Sequence, residues 1–123
     1  MYNGEKVIGS WTTSFLSKGF RATGKLIVTG AAIYFIPATV ISGSISKATD
    51  LFREQEEGGY VCWLAPQDIL SSTARSKLLN KRIVIRVRNM KGLEQEAIID
   101  NGAMSIKSII EAISKLTKVD DAV

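Results

Sequence analysis

The chain has 123 residues, the usual size of one domain and too few for two independent cores, so positions 1–123 are read as a single unit. At 46% hydrophobic and 23% charged it has the composition of a globular protein, which excludes a disordered or low-complexity chain. Lys and Arg number 16 against 12 Asp and Glu, a formal net charge of +4 that mildly favours anionic surfaces, and the absence of histidine removes the commonest general base and zinc ligand.

In chain order, residues 5–17 (EKVIGSWTTSFLS) are rich in β-branched and aromatic types without a helical apolar stripe, and predict an opening strand. Ser17-Lys18-Gly19 and Ala22-Thr23-Gly24 bracket a loop. Leu26 and Val28 then alternate with Lys25, Ile27 and Thr29, and Ala31, Ile33 and Phe35 alternate with Tyr34 and Ile36. That pattern predicts a hairpin turning at Thr29-Gly30 and ending at Pro37, which cannot donate to a ladder. The longest apolar run, Ala31 to Ile41, is broken by Pro37 and Thr39 and falls short of the ~20 residues a spanning helix needs. The N-terminal stretch carries an early acid, Glu5, and no apolar block of signal-peptide length, so the cytoplasm is the expected location.

Residues 42–59 predict a short helical insertion: Ser44 is a potential cap, Ile45, Ala48, Leu51 and Phe52 recur at helical spacing, and Gly58-Gly59 would stop it. Tyr60 to Leu64 reads as a buried strand, Gln67 to Ser72 as a further short one, and Thr73 to Lys81 as a polar turn. In Arg82 to Arg88, Ile83, Ile85 and Val87 form one face, while Arg82, Val84, Arg86 and Arg88 form the other. Asn89 to Gly92 is turn chemistry and Leu93 to Ile99 the antiparallel return. Ile106, Ile109, Ile110, Ile113 and Leu116 then recur with helical periodicity, predicting a helix over 104–116 that caps the sheet.

The order of these elements, together with Gly4 to Ile8, Gly24 to Thr29 followed by Ile33-Tyr34-Phe35, Asp68-Ile69, the Arg82 to Arg88 strand and the closing Ser105 to Ile113, resembles a GRAM domain of the pleckstrin-homology-like superfamily. The resemblance runs from about residue 4 to about residue 117. It implies a mainly β fold, a bent antiparallel sheet or barrel with a C-terminal capping helix. It also implies a binding module rather than an enzyme, since related domains bind phosphoinositides, peptides, other proteins or copies of themselves.

Two basic groups are candidate sites. Lys18, Arg21 and Lys25 surround the early loop, beside glycines at 19 and 24, and would suit an anion or a lipid headgroup; the group loosely resembles the basic residues that lipid-binding pleckstrin-homology domains carry between their first two strands. Arg82, Arg86 and Arg88 form a second basic face, with Glu94 and Glu96 placed on the returning strand to pair with it. The remaining acids are read as solvated charges rather than a catalytic pair. Cys62, the single cysteine, permits no intramolecular disulfide, and with Trp11 and Trp63 it is read as core. No catalytic residue, metal site, cofactor or small-molecule substrate is evident. The arginine strand lacks the interleaved aromatics a nucleic-acid surface would want. A protein partner or a second copy is therefore the leading expectation, and an anionic membrane surface, reached peripherally, the alternative.

Overall fold

The computed structural model describes residues 4–45, 48, 50–76 and 80–121. They are mainly β, with eight strands in one antiparallel sheet followed by a C-terminal helix. The strands are β1 (Val7–Ser17), β2 (Phe20–Thr29), β3 (Ile33–Ser42), β4 (Phe52–Glu54), β5 (Tyr60–Leu64), β6 (Ile69–Ser76), β7 (Lys81–Arg88) and β8 (Glu94–Asp100); α1 spans Lys107–Asp121. Their order across the sheet is β4-β5-β3-β2-β1-β8-β7-β6. The first strand thus pairs with both β2 and β8, joining the β1-β2-β3 meander to the β6-β7-β8 meander, and β5 is inserted between β3 and β4.

Alternation along the strands sends one side chain in two to a shared interior. Phe15 of β1, Leu26 and Val28 of β2, Phe35 of β3, Phe52 of β4, Cys62 of β5, Ile83 and Ile85 of β7 and Ile99 of β8 belong to one buried cluster. Both halves of the sheet contribute to it, so the sheet curls around its own inner face. Four phenylalanines lock the centre: Phe15 stacks on Phe35 at 5.0 Å between ring centroids, and Phe52 meets Phe15 and Phe20 edge-on at 5.4 and 5.2 Å.

The helix closes the interior as its periodicity predicts. Ile109, Ile113 and Leu116 are buried, Ile106 is buried just ahead of the first turn, and Ile110 packs on the cluster while partly exposed. Ser105 Oγ accepts from the Lys107 amide at 3.2 Å, and Trp11 Nε1 donates to Ser108 Oγ at 3.1 Å, tying the helix start to β1.

Four sequence expectations need correction. Among the described residues of 42–59 the expected helical insertion is replaced at both ends: Ser42 belongs to β3, the chain turns at Gly43, and Phe52–Glu54 is a strand paired with β5. Leu51 lies in the core and Ile45 and Ala48 pack against it, with Ala48 N bonded to Ile45 O and both Leu51 N and Phe52 N to Ala48 O, so among the described residues the helical spacing is carried by single turns. Positions 46, 47 and 49 of that segment lie outside the described residues. The early loop shrinks to Lys18-Gly19, because β2 begins at Phe20. Pro37 does not end β3: it sits opposite Gly24 at a register shift, and the strand continues to Ser42. Finally, β6 runs on through Thr73 to Ser76, where a polar turn was expected; residues 77–79 lie outside the described residues.

Candidate functional site

The connection between β1 and β2 is a two-residue hairpin with Lys18 at φ 37° and Gly19 at φ 73°. Two successive positive φ values match the right-handed twist of the flanking strands. This tight turn carries Lys18 and Arg21 to the edge of an open cavity of about 540 Å³, shared with Leu16, Ser42, Arg86, Glu94, Glu96 and Ile98. Beneath it, Asn89 Nδ2 donates to Gln95 Oε1 at 2.9 Å, Gln95 Nε2 donates to Ser17 Oγ at 2.7 Å, and Ser17 Oγ donates to the Glu96 carbonyl at 2.8 Å. That buried chain fixes the β1–β2 turn to the β7–β8 turn.

The structure therefore brings together Lys18, Arg21 and Arg86, residues the sequence had placed in two separate groups. Lys25 is left out: it lies exposed in mid-strand, opposite Thr12 and Ile36, roughly 13 Å along β2 from Arg21 at about 3.3 Å per residue. Gly24 offers no backbone approach to a ligand either. It is buried, and a Cβ there would overlap the Ile36 carbonyl oxygen, so the glycine serves the close passage of β3.

Arg82, Arg86 and Arg88 do share the outer face of β7, and most of their charge is met locally. Arg82 Nε is 2.9 Å from Asp100 Oδ2, and Arg86 reaches Glu94 at 3.0 Å and Glu96 at 4.0 Å. Arg88 Nη1 donates only a long 3.5 Å bond to the Gly92 carbonyl. Lys91, in the β7–β8 turn, is paired with Asp50 at 3.2 Å. Among the described residues, Lys18 and Arg21 have no carboxylate partner.

Of the residues read as core, Cys62 is buried, and burial pushes its thiol up to about 12 against a smaller opposing effect of the Arg53 charge. It stays a thiol and packs. Trp11 packs on the core cluster, whereas Trp63 faces outward at 37% exposure with the Arg53 guanidinium 5.2 Å over its ring. The reading of Trp63 as core is thus wrong, because period-2 alternation gives the interior to its neighbours Cys62 and Leu64.

Sequence reasoning also missed the difference between the two outer strands of the sheet. β4 is three residues long and carries exposed Arg53 and Glu54, a guarded edge. β6 is eight residues long, contains no proline, has Arg75 as its one charged residue, and is exposed from Leu70 through Arg75. Its extensive pairing is with β7 alone. The signal was present in ILSSTARS, whose hydroxyl-rich composition reads as readily as a turn.

No family model and no curated protein matches this chain. Among the described residues, no helix is long and apolar enough to cross a membrane.

Proposed function

We propose that this domain is a non-catalytic binding module of the GRAM or pleckstrin-homology-like kind whose partner is a protein, copies of itself included. The observation that carries the reading is the free side of β6, an eight-residue strand with a single charge at one end of an eight-stranded sheet. Among the described residues no strand pairs with its outer side, and an exposed row of backbone donors and acceptors with a single charge and no proline is a template for another strand. Two antiparallel meanders joined through β1, with a C-terminal helix over the inner face, support the resemblance on which the module reading draws. Sedimentation over a range of concentrations tests it. A mass rising above the 13.4 kDa monomer is expected, and a monomer at every concentration would remove this reading in favour of the next.

The second reading is peripheral binding of anionic lipid headgroups. What favours it is the end of the sheet that carries Lys18 and Arg21 without carboxylate partners. Val40 of β3 pairs with Ala22 next to Arg21, Ile41 lies in the register shift beside them, Met90 and Leu93 sit in the β7–β8 turn, and all four are at least 42% exposed. Cations beside exposed apolar side chains suit the interface of a charged bilayer. Flotation with anionic vesicles at low salt is the test. Lys18→Glu with Arg21→Glu should abolish flotation, Lys25→Glu should leave it unchanged, and added salt should weaken it. Wild-type protein that ignores such vesicles would overturn this reading.

A further inference from the structure

We infer that the partner of β6 is the β6 strand of a second copy, paired antiparallel across a twofold axis near Thr73, so that one continuous sheet runs through both chains. The inference rests on the strand-edge reading above and names its partner.

The argument starts from what a twofold interface demands, which is that one patch carry its own complement. A register shift between Ile69 and Ser71 leaves Ser71–Ser76 as the regular part of the strand, and this run is small and uncharged apart from Arg75. An axis at Thr73 sets Ser72 against Ala74 and Ser71 against Arg75 of the other strand, with no like charges opposed. In that register Arg75 of each strand faces Ser71 of the other, with Asp68 three residues further along, roughly 10 Å at about 3.3 Å per residue, so the opposite charges attract across the seam without forming a direct pair. Asp68 is held at the entry to β6, where its Oδ2 accepts from the Ala65 amide at 3.2 Å, so a carboxylate waits at one end of the strand and a guanidinium at the other. A foreign strand would need to bring this pattern; a second copy has it already. The opposite edge offers no such match, since β4 is short and carries both its charges within three residues.

Thr73 and Ser72 are exposed, so either can be replaced without disturbing the core. Thr73→Cys and Ser72→Cys are made separately and oxidised, with wild type as control; the buried Cys62 thiol keeps the control free of crosslinks. Directly opposed residues in an antiparallel pair lie close enough for a disulfide, so Thr73→Cys should form a covalent dimer in high yield at concentrations where the native mass is dimeric, while Ser72→Cys, which faces Ala74, should crosslink poorly. Thr73→Lys, which opposes two like charges at the axis, should shift the native mass to monomer, and Arg75→Glu should weaken the dimer several-fold; both should keep the wild-type circular dichroism, and melt like wild type at concentrations where wild type is monomeric. A wild-type dimer that persists in Thr73→Lys, with neither cysteine variant crosslinking, overturns β6 as the seam while self-association stands. A wild-type monomer at every concentration overturns both.

Discussion

Glu5 stands ahead of β1, yet it fastens a turn twenty-four residues further on, as its 2.7 Å contact with Thr29 Oγ1 shows. Both its carboxylate oxygens also accept from the Tyr34 hydroxyl at 2.8 Å, while Thr29 Oγ1 receives the Ala31 and Ala32 amides. Burial first, and then the Glu5 carboxylate, raise the Tyr34 pKa above its ordinary value, so the phenol stays protonated and keeps donating. Tyr34→Phe removes that donor and should cost about 1 to 2 kcal/mol in a denaturant melt. Cys62 has its own pH signature. Its folded pKa is raised, so the stability it contributes is complete below the ordinary thiol value of 9.0 and is lost as the pH climbs toward about 12. Stability measured along the alkaline limb should therefore fall less steeply in Cys62→Ala than in wild type. The native thiol should also resist a thiol reagent at pH 8 and react fully once the chain is unfolded.

Among the elements, α1 and β7 were the most legible. A helix that buries Ile109, Ile113 and Leu116 has to repeat its apolar residues at helical spacing, and a strand with one face inside has to alternate, as Ile83, Ile85 and Val87 do. Ile109→Ala or Ile113→Ala should each cost ~2 to 5 kcal/mol, and an unchanged melting temperature would disprove the capping role. The bounds of β2, β3, β4 and β6 were not legible, because tertiary contacts set them. Pro37 is tolerated where β3 shifts register against Gly24, and Phe52 is drawn into β4 by the ring cluster and by pairing with Cys62. The site was half legible. Arg86 and its acids could be read from cross-strand register, but the meeting of Arg86 with Lys18 and Arg21 depends on β1 pairing with β8, for which no local pattern exists. Two glycines test how far backbone dictates sequence. Gly24→Ala forces a methyl group into the Ile36 carbonyl and should destabilise the fold by more than about 1 kcal/mol; Gly30→Ala points into open space without a positive φ and should be neutral within about 0.5 kcal/mol.

At the scale of the whole molecule, two surfaces lie on different parts of one sheet: the free side of β6, and the end of the sheet that carries Lys18 and Arg21. Neither shares a residue with the other, so Thr73→Lys should leave vesicle flotation untouched if flotation occurs, and Lys18→Glu with Arg21→Glu should leave the native mass unchanged. The pairing of the first strand with the last has a further consequence, for how the polypeptide comes into being. When β1, β2 and β3 leave the ribosome they form a meander whose Phe15, Leu26 and Phe35 have no cover, since Phe15 meets Ile99 of β8 and the seal of α1 only once those later elements have emerged. Closing so long a loop before its contacts are rewarded slows folding into the range of roughly milliseconds to seconds. For that interval the nascent chain displays its sticky inner face, and it is then, rather than in the finished fold, that it would most need a chaperone.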